Sequence, residues 1–284
     1  MSAVRVALFL LPFVVSIAVS LLMAAYGLRR GETSGARPFA VAMVFQALWI
    51  IGYALELAAG TIAAKLVLDD LQWLFSFGWA SFTLAFITAY TGRDWQKTRW
   101  FWAVVTAAPI AFLGLLVTNR LHGLIRTQAS IVDAQPFSML EYPITPAMLA
   151  VSVYLAALYL VAVLLLGTHA LRQHRLFRNQ SLIILAGTLV PAVGGMLSMA
   201  DVRFGLYRDI SPFTFTVSAL VIGFGLLRYK LLTLGPVARE AIFRSMADPV
   251  LVLDSMRRIV DANAQAAELF RTAGVELIET PAER

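Results

Sequence analysis

Apolar runs long enough to cross a lipid bilayer dominate this sequence. A transmembrane helix needs about 20 consecutive, mainly apolar residues. Runs of this kind, bounded by charged or turn residues, lie at about 5–28, 38–59, 66–91, 100–118, 146–171, 181–200 and 210–228. Only 14% of the 284 residues are charged, whereas a soluble domain has about 25%. The pattern predicts an all-α membrane protein, a bundle of seven transmembrane helices over residues 1–230.

The orientation follows from the basic residues between the runs, because Lys and Arg are preferentially retained on the cytoplasmic side. With the N-terminus outside, eleven of these residues flank the inner ends of the spans and six flank the outer ends. The first run is longer than the core of a signal peptide, which has about 7 to 15 residues, so it is interpreted as a span. We therefore expect a multi-pass protein of the cell inner (cytoplasmic) membrane, with the C-terminus cytoplasmic.

The longest loop, residues 119–145, lies on the outer side between spans four and five. Two short mixed runs, Leu124 to Val132 and Pro136 to Tyr142, are joined by Asp133-Ala134-Gln135. This arrangement predicts a short outer β-hairpin over the mouth of the bundle. An irregular connector is the alternative, since the alternation of apolar and polar residues is imperfect.

The composition changes after Lys230. A linker is predicted at 231–239, where Gly235-Pro236 signals a turn. Residues 240–284 form an α+β segment, with strands predicted at Pro249 to Asp254 and Arg258 to Ala262 and a helix after Asn263, which can act as its cap. From Arg239 onward this tail has six basic and eight acidic residues, so it is soluble in character.

The chain resembles the seven-helix N-terminal sensor region of bacterial and archaeal histidine kinases, followed by the beginning of a PAS domain. The stretches that carry the first resemblance are Leu48 to Ala59 (LWIIGYALELAA), Phe82 to Arg93 (FTLAFITAYTGR), His122, Glu141-Tyr142, Tyr154, Pro191, and Arg228-Tyr-Lys-Leu-Leu leading into Pro236-Val-Ala-Arg-Glu. The tail ADPVLVLDSMRRIVDANAQAAELF is similar to the opening of PAS domains.

The resemblance implies a receptor module that passes an extracytoplasmic or membrane-borne cue to a cytoplasmic PAS and kinase output. It also implies a homodimer, and a response regulator that is reached only through a kinase domain. The tail contains no His that a kinase could phosphorylate. We therefore expect this chain not to be an enzyme itself and to end inside the PAS domain, while the full-length protein is a sensor histidine kinase. The alternative is a natural short protein that acts with a partner.

Two polar and aromatic helix faces are the candidate ligand site. In span two these are Gln46, Trp49, Tyr53 and Glu56, whose spacings of three, four and three place them on one face. In span three they are Asp70, Trp73 and Phe77. An ionisable residue inside a membrane span is costly unless it pairs or faces the interior, which singles out Glu56. The alternatives are that Glu56 reaches the lipid headgroups and that Trp73 belongs to an interfacial belt.

A hinge and signal relay is predicted towards the C-terminal end of the bundle. Pro191 removes a helix hydrogen bond in span six, and Gly194 and Gly195 permit bending or close approach. Arg228 and Pro236 would carry the movement into the tail. Close packing of small residues explains the glycines equally well.

Several other function classes lack the residues that they need. There is no Cys, and the three His are not spaced as metal ligands, so neither a metal site nor another cofactor is expected. No catalytic constellation is visible. A retinal protein needs a lysine inside the membrane, and span seven has none before Lys230. The net charge of +6 is spread over the ends of the spans, which argues against a nucleic-acid partner. A small-molecule or lipid transporter remains the alternative, although the halves show no matching broken helices.

Overall fold

The computed structural model describes residues 3–29, 35–134, 137–173, 175–199, 210–228, 243, 245–253 and 259–272. The chain divides into two compact units, Met1–Thr233 and Leu234–Arg284. The linker predicted at 231–239, including Pro236, lies outside the described residues.

The first unit is mostly helical. Its helices are α1 (Ala3–Arg29), α2 (Ala36–Ala58), α3 (Ile62–Tyr90), α4 (Arg99–Val117), α5 (Asn119–His122), α6 (Pro146–Arg172), α7 (Arg175–Met199) and α8 (Ser211–Arg228). Five of them, α1 to α4 and α6, are long and apolar enough to cross a bilayer, and α8 contains a shorter apolar stretch, Ser211–Gly225. A multi-pass membrane protein follows, while the seven spans and their orientation stay predictions.

Threonine side chains define where three of these helices begin. The side chains of Thr61, Thr98 and Thr145 accept hydrogen bonds from the backbone N–H groups three residues further on, at the starts of α3, α4 and α6. Such caps satisfy backbone donors that have no partner within the helix. Because of its cap, α3 begins four residues before the predicted span, and Lys65 lies inside the helix instead of in a loop.

The long helices of the first unit share one core. Its largest cluster of buried apolar residues has members from α1, α2, α3, α4, α6, α7 and α8. Close approach of α2 and α3 depends on Gly78, because a Cβ atom at this position would lie 2.5 Å from the ring of Phe45. A glycine here is therefore a packing requirement of the helix pair.

The long loop between α4 and α6, residues 119–145, contains two paired strands. Strand β1 (Ser130–Ala134) runs antiparallel to β2 (Phe137–Glu141), with Ile131 opposite Leu140. The first strand begins six residues later than the run from Leu124 suggested. Residues 135 and 136, between the strands, lie outside the described part of the chain.

The second unit has strands β3 (Leu251–Leu253) and β4 (Ile259–Ala262), which pair antiparallel, and helix α9 (Ala264–Thr272). Asn263, which is 1% exposed, joins these elements. Its side-chain oxygen accepts from the N–H groups of Val250 and Ala266 at 3.0 and 2.9 Å. Its side-chain nitrogen donates to the carbonyl of Asp248 at 2.8 Å. One side chain thereby caps α9 and fixes the segment that leads into β3.

Candidate functional site

The predicted ligand residues of α2 face the protein interior, where Gln46, Tyr53 and Glu56 are buried and Trp49 is partly buried. Gln46 is 2% exposed and donates to the hydroxyl of Ser20 on α1 at 2.8 Å. Trp49 and Tyr53 stack on each other with ring centroids 6.1 Å apart. Both pack with residues of α1 and α8 and with Phe137 of the strand pair in one apolar cluster. The helix face predicted from the spacing is thus a contact face for α1, α8 and the long loop.

Glu56 forms a buried ion pair with Lys65. Nζ of Lys65 lies 3.5 Å from Oε1 of Glu56, and the two side chains are 0% and 7% exposed. The same ammonium group donates to the backbone carbonyls of Glu56 and Ser138, the latter at 2.7 Å. The backbone N–H of Leu140 donates to Oε1 of Glu56 at 3.2 Å. This Glu56–Lys65 pair therefore binds main-chain atoms of β2, and the side chain of Glu56 is buried beside the strand pair.

A second set of charges fixes the other part of the long loop. The guanidinium of Arg126 donates to the carboxylates of Asp69 and Asp70 on α3, and the hydroxyl of Tyr142 donates to Asp69 at 2.8 Å. Arg126 also lies over the ring of Tyr142, 5.1 Å from its centroid, within the range of a cation–π contact. We call these four residues the Arg126 cluster.

The pKa values of Arg126 and Tyr142, the two long-loop members of this cluster, are both raised. Burial opposes the charge of Arg126, but its acidic neighbours, Asp69 foremost, together outweigh burial and raise the pKa of the guanidinium. Burial, together with the negative charge of Asp69, raises the pKa of the Tyr142 phenol above its ordinary value of 10.0. Arg126 therefore stays charged and Tyr142 stays protonated as a donor.

Asn119 positions Arg126 against α3. Its side-chain oxygen accepts from the backbone N–H groups of Ile125 and Arg126 at 2.9 and 3.2 Å, and its side-chain nitrogen donates to the carbonyl of Arg126 at 2.9 Å. The hydroxyl of Thr145 donates to the carbonyl of Ile125 at 3.2 Å. These bonds occupy the backbone groups that a strand would use, which explains why β1 begins only at Ser130.

The predicted residues of α3 lie in a different cluster from those of α2. Phe77 is 3% exposed and packs with Trp73 against α4, α6 and Tyr142. The ring centroids of Trp73 and Phe112 are 4.9 Å apart. Asp70, with a side chain that is 38% exposed, binds Arg126. Among the described residues, the two predicted faces thus belong to different apolar clusters, and the long loop contacts both.

The sequence patterns missed Lys65, Asp69, Arg126 and Tyr142 as site residues. The sequence did contain one indication of these residues. Several charges lie at the start of an apolar run, and buried charges require partners of opposite sign. Lys65 and Asp69 are also four residues apart, which places them on one side of α3. Within the described residues, no His, Asp and Glu side chains group together as metal ligands would.

A chain of buried polar contacts joins α1 and α2 to α8. The Ser16 hydroxyl is hydrogen-bonded to that of Thr216, and the hydroxyl of Ser20 donates to the carbonyl of Ser16 at 2.8 Å. Gln46 continues the chain, because its amide nitrogen lies within 3.4 Å of the carbonyl of Phe215 as well as bonding Ser20. Polar contacts of this kind fix the relative rotation of helices where little else distinguishes one apolar face from another.

The predicted relay residues of α7 differ in their surroundings. A Cβ atom at Gly194 would lie 2.2 Å from the hydroxyl oxygen of Thr214 on α8, whereas one at Gly195 would meet nothing within 4 Å. Gly194 therefore permits close contact of α7 and α8. Pro191 lies inside α7, and Arg228 is the last residue of α8. Their role as a hinge and relay stays a prediction.

The structure has helices of bilayer length, a loop that is held by buried charges, and a second unit that contains strands. These features define a multi-pass membrane protein with a further C-terminal domain. A family model described as the N-terminal 7TM region of histidine kinase matches residues 12–236, and a PAS domain model matches residues 240–283. The chain belongs to the family of N-terminal 7TM regions of histidine kinases. No curated protein matches the sequence. The resemblance inferred from the sequence is confirmed for both segments, and neither of the matched families is a catalytic kinase domain.

Proposed function

We propose that this chain is the receptor module of a sensor histidine kinase, in which the long loop responds to a cue from outside the cell or from the membrane. The observation that carries the proposal is the attachment of this loop to α2 and α3 through two buried sets of charges in a chain whose family is a kinase sensor region. The matched PAS domain follows directly after the membrane region and is the segment that receives the signal.

The attachment is suited to switching because its parts depend on each other. Taking one partner out of a buried ion pair leaves the other charge without compensation, which costs about 3–5 kcal/mol. A cue that binds Glu56, Lys65 or Arg126 in place of its present partner therefore competes with the closed loop. Signalling requires only that the cue binds the open and closed arrangements with different free energies.

The proposal includes the expectations that the sequence raised and that are still untested. The ligand is a small molecule or a lipid, and it is bound by residues drawn from Gln46, Trp49, Tyr53, Glu56, Asp70, Trp73 and Phe77. Seven spans place the N-terminus outside and the C-terminus in the cytoplasm of the inner membrane. The module acts as a homodimer, and a response regulator is contacted through a kinase domain. A reporter fused after Tyr229 checks the topology, which fails if the reporter is active outside the cell.

Coupling between the long loop and the far end of the bundle can be measured with spin labels, since the chain has no cysteine to interfere. Labels at Leu171 and Phe224, which are 83% and 59% exposed, report the distance between the C-terminal ends of α6 and α8. The protein is placed in nanodiscs and diluted with unlabelled chain, so that only pairs within one chain contribute.

We expect Arg126→Met, which releases the long loop from α3, to shift or broaden this distance distribution. Lys97→Met is the matched control, because Lys97 pairs with Asp94 at the surface, where its side chain is 69% exposed. The control should leave the distribution unchanged. An unchanged distribution in a folded Arg126→Met protein would show that the loop is not coupled to the distal helix ends, and the proposal would be lost.

A further inference from the structure

A small cavity lies in the middle of the first unit, between four helices. Its volume is about 20 Å³. The polar residues in its lining are Gln46 on α2, Trp79 and Thr83 on α3, Thr188 on α7 and Ser218 on α8. The remaining lining is apolar. A cavity that brings together polar side chains from four helices deep in a membrane protein is unusual, since such groups are otherwise avoided or paired.

Trp79 makes this cavity more than a packing defect. Its indole Nε1 is buried and has no hydrogen-bond partner among the described residues. The ring itself is held in place edge-on to Phe215, with centroids 4.8 Å apart. An indole N–H is a donor only, and leaving a buried donor unpaired costs about 1–3 kcal/mol. An acceptor is therefore missing from this site.

The other polar residues on the wall supply the complementary groups. Gln46 uses its amide nitrogen for Ser20 and the carbonyl of Phe215, so the oxygen of the same side chain can accept a further bond. Thr188 and Ser218 are each 5% exposed, and a hydroxyl group can donate as well as accept. The residues that line the cavity thus include both hydrogen-bond donors and acceptors.

We propose that this cavity binds one ordered water molecule, which accepts from Nε1 of Trp79 and bridges α2 and α3 to α7 and α8. The size agrees, because a water needs at least about 10–15 Å³ of such space and two to four polar partners. The water site stands independently of the proposed signalling role.

The bridge has a consequence for movement inside the bundle. Helices α2 and α3 hold the long loop, whereas α8 ends at the segment that precedes the PAS domain. A water exchanges one hydrogen-bond partner for another at small cost compared with a direct contact. Sliding of α7 and α8 past α3 is therefore possible without leaving the indole N–H unpaired.

The test is NMR spectroscopy of the whole chain, labelled with ¹⁵N-tryptophan, in nanodiscs. The signal of the Trp79 indole N–H is assigned from the spectrum of Trp79→Phe. We expect this N–H to show a cross-peak to a long-lived bound water. Trp102 is the internal control, because its Nε1 donates to the backbone carbonyl of Gln96 at 2.9 Å and should show none.

A matched pair of variants then tests the bridge. Thr188→Val keeps the shape of the side chain but removes a hydroxyl from the cavity wall, and we expect the water cross-peak of Trp79 to be lost. Thr106→Val removes a hydroxyl from α4, where it bonds its own helix at Trp102, and the cross-peak should stay. A folded wild-type protein without a water contact at Trp79 overturns the proposal, and so does a cross-peak that survives Thr188→Val unchanged.

Discussion

Replacing Lys65 by Met should release β2 from α2 while leaving the helices in place. The ammonium group of Lys65 is completely buried and binds the long loop through the carbonyl of Ser138. Met has a similar length and no charge, so it fills the space but leaves the carboxylate of Glu56 without its cation. The backbone N–H of Leu140, which donates to this carboxylate, reports the change directly.

The magnitude follows from the burial of the pair. Removing one partner of a buried ion pair costs about 3–5 kcal/mol. Each 1.4 kcal/mol corresponds to about a tenfold change in an equilibrium constant. The population in which the loop is open, and with it the exchange rate of the Leu140 amide, should therefore rise by about 100- to 3,000-fold.

The assay is hydrogen–deuterium exchange of the protein in nanodiscs, resolved to the Leu140 amide by fragmentation in the mass spectrometer. The double variant Lys65→Met/Glu56→Gln removes both charges and should recover much of the protection, because replacing both members of a buried pair is often nearly neutral. Lys97→Met affects an exposed pair worth at most about 1 kcal/mol and should not change exchange at Leu140. If Lys65→Met stays within about fivefold of the wild type, the ion pair does not hold the strand and our reasoning is wrong.

Three further predictions concern other parts of the chain. Gly194→Ala should lower the stability of the protein in detergent by about 1–3 kcal/mol through overpacking between α7 and α8, whereas Gly195→Ala should not, as thermal unfolding of the two variants will show. Asn263→Ala removes several buried hydrogen bonds of about 1 kcal/mol each, so hydrogen–deuterium exchange of the Ala266 amide should accelerate by about a hundredfold. Asn263→Asp keeps the acceptor oxygen and should accelerate this exchange less. The raised pKa of the Tyr142 phenol means that the folded protein holds this proton more tightly than the unfolded chain does. The contribution of the phenol to stability is therefore complete below about pH 10 and is lost as the pH rises further. Comparing the alkaline unfolding of the wild type and Tyr142→Phe measures this loss, and equal slopes of stability against pH in the two proteins would contradict the prediction.

The helices could be predicted because a bilayer imposes a minimum length on every span. Their boundaries depend on individual side chains that hydropathy does not register. The cap formed by Thr61 starts α3 early enough to bring Lys65 into the helix. In the C-terminal unit the turn-and-cap pattern around Asn263 was informative, since both strands and the following helix lie where the pattern indicated.

The candidate site was only partly predictable, because helical spacing describes one helix at a time. The spacing places Gln46, Trp49, Tyr53 and Glu56 on one side of α2, which packs against other parts of the first unit. It contained no information about which helix or loop this side would contact. Arg126 was indistinguishable from any other loop arginine in the sequence. Its importance follows from its contacts with Asp69 and Asp70, which are far away along the chain.

The Glu56–Lys65 pair recognises the backbone of β2 rather than its side chains. The two atoms it binds, the carbonyl oxygen of residue 138 and the amide nitrogen of residue 140, are present whichever amino acid occupies those positions. Substitutions that face away from the bundle can therefore accumulate in this strand without weakening its anchorage. The amino-acid sequence of the strand can thus change while its connection to the helices remains the same.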